Sequence, residues 1–208
     1  MRAIRRPCCH PMVVDVTLTV IIGYLVGSIP VANLLARRRG VDDLRMVGDR
    51  NPGFWNAREN LGRRAAVPIF VGDLLKGVVG AGVGALLAGP GVWGLAYVGA
   101  GAAMIGHAFP VFAGFKGGRS ILTFVGGALV FAPVPAAIAV ALLLVTFAIT
   151  RSFAVSARVG FFALPVVQLV VEGPYRTAAT GVLMTFIGLR FLMATITMGS
   201  DPHRDRHP

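Results

Sequence analysis

VTLTVIIGYLVGSIPVANLLA, residues 16–36, runs for 21 residues without a formal charge and ends on Arg37, Arg38 and Arg39. About 20 apolar residues suffice to cross the hydrocarbon core of a bilayer, and a basic cluster at one end orients such a span. The pattern recurs along the chain. Residues 65–88 form a second apolar run, broken only by Asp73 and Lys76, and 92–113 a third. Further runs cover 121–132, 136–150, 159–171 and 177–198. Turn signals separate them, among them Gly89-Pro90-Gly91 and Pro133-Val134-Pro135. The expected fold is all-α: a polytopic membrane protein of about seven transmembrane helices. The runs on either side of Pro133 are short, which predicts a kink or tilt at those prolines.

Composition supports this reading. Of 208 residues, 55% are hydrophobic and only 14% charged, against about 25% charged in a soluble domain. The 27 glycines suit close approach of membrane helices, and Gly23-x-x-x-Gly27 and Gly80-x-x-x-Gly84 have the form of helix-packing motifs. The net charge of +11 would suggest nucleic acid in a soluble protein. Here no basic run is interleaved with aromatics in the manner of a nucleic-acid-binding module, so nucleic acid is not expected as a partner. Cys8 and Cys9 are adjacent and cannot readily bridge each other. Residues 1–12 read as a basic leader, either untranslated or disordered, and Met12 is the expected start. N-terminal sequencing that returned Met1 or Arg2 would refute that start. Residues 13–199 are expected to form a single membrane domain, and 200–208 a polar cytoplasmic tail.

Seven spans put the termini on opposite sides. With the N-terminus outside, the loops at 37–64, 114–120 and 151–158 and the tail face the cytoplasm and hold 14 basic residues; the other face keeps Arg2, Arg5, Arg6 and Arg176. The positive-inside rule selects this orientation. The inner loops are also the long ones, rich in Gly, Asn and Arg, so chemistry is sought there.

Three features could carry it. Asp73 and Lys76 lie three residues apart, on one helix face, either as a mutually neutralising pair near the membrane edge, able to orient a neighbouring loop, or as direct participants in catalysis. GFKGGRS (114–120) opens the fourth run. Its glycines could turn backbone N–H groups toward one point, with Lys116 and Arg119 completing a phosphate cradle; the other reading is a Gly-rich connector with topogenic charges. The spacing is not that of a Walker A loop. His107 precedes this loop, as a structural hydrogen-bonding group or as a base. No Ser or Cys has an evident catalytic partner, and no cluster has metal-ligand spacing. No metal or cofactor is expected.

In order, GYLVGSIPVANLLAR (23–37), GVDDLRMVG (40–48), LGR (61–63), DLLKG (73–77) and GHAFPVFAGFKGGRS (106–120) resemble the bacterial acyl-phosphate-dependent glycerol-3-phosphate acyltransferase family. Asn51, Gly53, Asn56, Thr123 and Gly126 join the match, and TRSFAVS (150–156) resembles its third motif more weakly. The resemblance implies a compact seven-span enzyme of the bacterial cytoplasmic (inner) membrane with its active face cytoplasmic. It implies transfer of an acyl chain from acyl phosphate to glycerol 3-phosphate, giving lysophosphatidic acid for phospholipid synthesis. By resemblance, His107, Lys116 and Arg119 are the catalytic candidates. Arg45, Gly48, Asn51, Gly53, Asn56, Gly117, Gly118 and Ser120 are the phosphate-binding candidates, with Asp73 and Lys76 in support. The two substrates and the lipid bilayer are the expected partners, and a monomer the expected state.

The match departs from the family pattern at particular positions. Asp49 and Arg50 replace a Ser-Gly pair, Phe54 and Trp55 replace Ala-Thr, and Glu59 stands where an arginine is expected. Arg119 replaces a lysine and Ser120 a glycine. The serines of the third motif fall on Ala154 and Ala157, and polar positions after Arg190 on Phe191, Met193 and Ala194. The alternative function is a divergent paralogue with a changed acceptor or no catalysis, acting as a binding or regulatory membrane protein.

Overall fold

The computed structural model describes residues 10–199. Cys8, Cys9, most of the leader and the tail at 200–208 lie outside the described residues. The elements are α1 (His10–Gly27), α2 (Val31–Arg37), α3 (Phe54–Asn60), α4 (Arg63–Ala88), α5 (Gly94–Ala108), α6 (Ile121–Phe131), α7 (Pro133–Thr150), α8 (Phe153–Glu172) and α9 (Pro174–Gly199), with 3-10 turns at Leu44–Met46 and Val111–Ala113. No strand occurs among the described residues. Six segments are long and apolar enough to cross a membrane: Met12–Arg37, Arg63–Ala88, Gly94–Ala113, Pro133–Thr150, Phe153–Glu172 and Pro174–Ile196. The expected runs therefore all appear as helices, with changes at their ends.

The first run is broken rather than continuous. Pro30 lacks an N–H and sits at the N-cap of α2, so the chain turns between Ser28 and Val31. The fourth run, α6, has only 11 residues, roughly 17 Å of helix against a core of about 30 Å. It is short because it begins deep. The Ser120 hydroxyl at its start donates to the Met104 carbonyl at 2.8 Å, one turn inside the end of α5. Pro133 and Pro135 fall in the first turn of α7, where proline costs no helical hydrogen bond; the kink lies just before them, at Ala132 (φ −143°, ψ 61°). The expected loop at 151–158 shrinks to Arg151 and Ser152, because the Ser152 hydroxyl caps α8 at the Val155 N–H.

The packing is that of a bilayer protein. Large apolar side chains such as Leu86 (84% exposed) and Val170 (83% exposed) face outward, while the interior of α4 and α5 is dominated by Ala and Gly. Both predicted glycine motifs make close helix contacts. A Cβ on Gly99 would stand 2.0 Å from the Gly80 carbonyl oxygen, and one on Gly27 2.2 Å from that of Ala103. Small residues replace hydrophobic driving force where lipid is the solvent. At one end of the bundle Gln168 donates to Tyr97 (2.7 Å) and Glu172 (2.8 Å) and accepts from Thr180 (2.6 Å), joining α5, α8 and α9. At the other end the loops after α2, α5 and α7 gather with the last turns of α9.

Candidate active site

At that loop-bearing end, three polar side chains meet in a buried cluster. Lys76 Nζ donates to Asp73 Oδ1 at 2.8 Å and lies 3.3 Å from His107 Nδ1; His107 Nδ1 is 3.4 Å from Asp73 Oδ1. All three are less than a tenth exposed. The i,i+3 spacing in α4 brings the first two together, and the close α4–α5 packing adds the third. His107 Nδ1 thus stands within reach of both a donor, the Lys76 ammonium, and an acceptor, the Asp73 carboxylate, and Nε2 is the ring nitrogen turned away from the ion pair. That nitrogen faces Gly118: a Cβ there would stand 2.4 Å from it. A narrow cleft lined by Asp73, Lys76, His107, Lys116, Gly117 and Gly118 opens over the cluster. It is lined further by Asn33 and Pro52. Asn33 was not anticipated from sequence, where nothing distinguished it from other polar residues inside an apolar run.

The predicted phosphate cradle differs from expectation in its backbone. The N–H groups of Gly117 and Gly118 do not converge on free space; they donate to the carbonyls of Ala108 (3.0 Å) and His107 (3.1 Å). The last turn of α5 has carbonyls without helical partners, and this segment satisfies them. Its glycines are required by proximity instead: a Cβ on Gly117 would stand 2.0 Å from the His107 carbonyl oxygen. Arg190 of α9 grips the segment from behind, donating to the carbonyls of Gly118 (3.3 Å) and Gly117 (3.2 Å), with its guanidinium over the Phe109 ring. Ser120 adopts φ +63°, a conformation that glycine takes without strain, and its hydroxyl is engaged with Met104. Lys116 is exposed at the cleft mouth.

Arg119 stacks on Phe191 and pairs with Asp49 at 3.1 Å, while its Nε is buried without a partner among the described residues. One departure from the family pattern, Asp49, thus neutralises another, Arg119.

Two of the predicted phosphate ligands make contacts within the loops. Arg45 forms an ion pair with Asp43 and donates to the carbonyls of Ala113 and Lys116, both at 2.9 Å. Its guanidinium holds the Asp43 carboxyl below the usual carboxylate range. It fastens the loop after α2 to the loop after α5. Asn56, 1% exposed, donates to the carbonyls of Leu44 and Val47 and accepts from Asn60. Gly48 (φ +58°) lies against Asn56, so that a Cβ would stand 2.1 Å from its Oδ1. Gly53 caps α3 beside the Asn51 amide. Of this group Asn51 comes nearest the cleft, with Oδ1 3.3 Å from where a Gly118 Cβ would lie. Trp55 meets Phe153 edge-on at 4.8 Å and carries the Arg58 guanidinium, bridging α3 to the start of α8.

Arg45→Met should remove the Asp43 ion pair and two hydrogen bonds between the loops, costing about 1–3 kcal/mol. Proteolysis of the loop at 38–53 in the substrate-free protein should accelerate, and Arg45→Lys should not restore resistance, because an ammonium lacks the fork geometry. Unchanged proteolysis would return Arg45 to the role of a substrate ligand.

The profile of the family described as glycerol-3-phosphate acyltransferase matches residues 17–199. A glycerol-3-phosphate acyltransferase 5 of Dehalococcoides mccartyi is 39% identical over 181 residues, covering 84% of this chain and 74% of that protein. A glycerol-3-phosphate acyltransferase of Rhizobium etli is 35% identical over 167 residues, covering 80% and 79%. Among solved structures, PlsY (YgiH), an integral membrane glycerol 3-phosphate acyltransferase in its glycerol 3-phosphate form, superposes with a TM-score of 0.75 at 28% identity, covering 89% of this chain and 94% of that one. Its lysophosphatidic acid form gives 0.73 at 26% identity.

Proposed function

The chain belongs to the glycerol-3-phosphate acyltransferase family, and from that premise we propose how its loop-bearing face performs the reaction. The enzyme acylates glycerol 3-phosphate to lysophosphatidic acid in a bacterial membrane. In this reading acyl phosphate is the donor. The C1 hydroxyl oxygen of glycerol 3-phosphate attacks the acyl carbonyl carbon; an ester C–O bond forms, and the bond from that carbon to the phosphate oxygen breaks. Inorganic phosphate leaves, and the hydroxyl proton passes to a phosphate oxygen. An acyl phosphate is already activated, so the protein's contribution is positioning and stabilisation of charge.

A single observation carries the assignment: Lys76, His107 and Lys116 line one cleft, and Arg119 lies in the segment that forms its edge. Lys116 and the His107 ring edge bearing Nε2 face the phosphates, while Lys76, held by Asp73, supplies charge from beneath. Gly117 and Gly118 let substrate approach the His107 ring. Asn51 contributes from the loop after α2. Arg190 positions the glycine segment. The basic balance of the loops favours a cytoplasmic active face in the inner membrane, with the N-terminus outside.

Purified protein in lipid nanodiscs, supplied with acyl phosphate and glycerol 3-phosphate, should release lysophosphatidic acid and phosphate together. It should also rescue a strain lacking its own acyltransferase. Absence of both sinks the reading. Asp49→Asn should lower KM for glycerol 3-phosphate by up to about fivefold, the limit expected for a partly exposed ion pair, because Arg119 no longer has a resident carboxylate. The amide keeps the turn, since Asp49 Oδ1 accepts from the Asn51 N–H at 3.1 Å. A KM that rises instead would make the Asp49–Arg119 pair a support rather than a competitor.

A further inference from the structure

The cleft contains one neutral amide side chain, and its hydrogen-bonding capacity is unspent. Asn33 lies on α2, 8% exposed, beside Ala32 and Ala36, which pack into the apolar cluster with Leu44, Ala66 and Ile69. Its Oδ1 is buried without a partner, and its amide nitrogen has none among the described residues. Leaving a buried polar group unsatisfied costs about 1–3 kcal/mol. A leucine of nearly the same size would avoid that cost and would match the apolar neighbours. The break at Pro30 sets α2 so that Asn33 lines the same cleft as Lys76, His107 and Lys116. An amide presents an acceptor and a donor side by side, which suits a hydroxyl rather than a phosphate dianion. The cations already present serve the phosphate.

We infer that Asn33 is a specificity-determining residue that binds the non-reacting C2 hydroxyl of the glycerol 3-phosphate acceptor. This rests on the acyltransferase reading for the identity of the acceptor. Glycerol 3-phosphate offers a phosphate, the hydroxyl to be acylated, and one further hydroxyl. Cations and His107 match the first two, and Asn33, the amide that lines the cleft itself, matches the third. With the C2 hydroxyl in place, the amide oxygen accepts its proton and the orphaned atom is satisfied. The same contact fixes which end of the glycerol unit faces the donor.

The test is a double-mutant cycle between protein and ligand. Binding of glycerol 3-phosphate and of its 2-deoxy analogue, propane-1,3-diol monophosphate, is measured by calorimetry on nanodisc-embedded wild type, Asn33→Leu and Asn33→Ala. Turnover is measured on the same samples, and melting temperatures establish that each variant is folded. Wild type should bind the full acceptor roughly tenfold more tightly or better than the analogue. The variants should discriminate less than twofold, by losing affinity for the full acceptor while keeping that for the analogue. Equal discrimination in wild type and variants overturns the assignment, as does a wild type that treats the two ligands alike or binds neither. Discriminating binding without turnover overturns the acyltransferase reading and leaves Asn33 in place.

Discussion

Lys76→Met is expected to lower the unfolding free energy by about 3–5 kcal/mol and to reduce turnover by at least a hundredfold. The first effect follows from burial. Asp73 and Lys76 are 3% and 5% exposed, and removal of the ammonium leaves a carboxylate with only His107 beside it, 3.4 Å away. A buried ion that loses its partner is far costlier than a buried pair replaced whole. The double variant Asp73→Asn, Lys76→Met should therefore recover most of the stability, since no charge remains stranded. It should not recover turnover, because the positive charge beneath the cleft is still missing. Thermal melting in detergent and a product assay on the same preparations read the two effects apart. If the double variant regains activity along with stability, the pair only neutralises itself. If Lys76→Met stays stable, the cluster is wetter than its burial implies.

This contrast marks what the sequence could express. Apolar run length is a direct consequence of bilayer thickness, so every span was legible, and the i,i+3 pair placed Asp73 and Lys76 on one face. Helix ends were less so: α8 starts six residues before its predicted run because Arg158 can lie on an exposed helical turn, and α6 is short because a side-chain bond to Met104 starts it inside the bundle. The glycine motifs read correctly as packing, since the space they free is a backbone property. Arg45 and Asn56 are a different case. Polar groups in a Gly-rich loop satisfy substrate or backbone equally well in sequence, and only the fold reveals the carbonyls that these two side chains reach. His107 joins the cluster across 31 residues from Lys76, and Arg190 reaches Gly117 across 73; no local pattern encodes either meeting. The pairing of Asp49 with Arg119 belongs here too, as two substitutions that make sense only together.

Gly117→Ala should cut kcat/KM by about a hundredfold in a protein that stays folded. The added methyl would stand 2.0 Å from the His107 carbonyl oxygen and 2.7 Å from Pro110 Cδ. Neither atom can retreat: one closes the last turn of α5, the other belongs to a proline ring. The segment 116–120 must move instead, which breaks the Gly117 and Gly118 N–H bonds to α5 and the Arg190 contacts behind them. Lys116, at the cleft mouth, moves with it. Misplacement by about 1 Å is enough for a hundredfold loss in a reaction that depends on positioning. Four lost bonds at about 1 kcal/mol each lower the melting temperature by roughly 8–16 °C, but the α1–α4–α5–α6 interior is untouched and the protein stays folded. Gly188→Ala is the matched control: it lies in α9 with open space where its Cβ would be, and both rate and melting should stay near wild type. Full activity in Gly117→Ala would mean that the segment tolerates displacement, and the cleft as drawn would not be the site of acyl transfer. Should Arg190→Met reproduce the Gly117→Ala kinetics, the loss comes from the position of the segment and not from the methyl blocking the substrate.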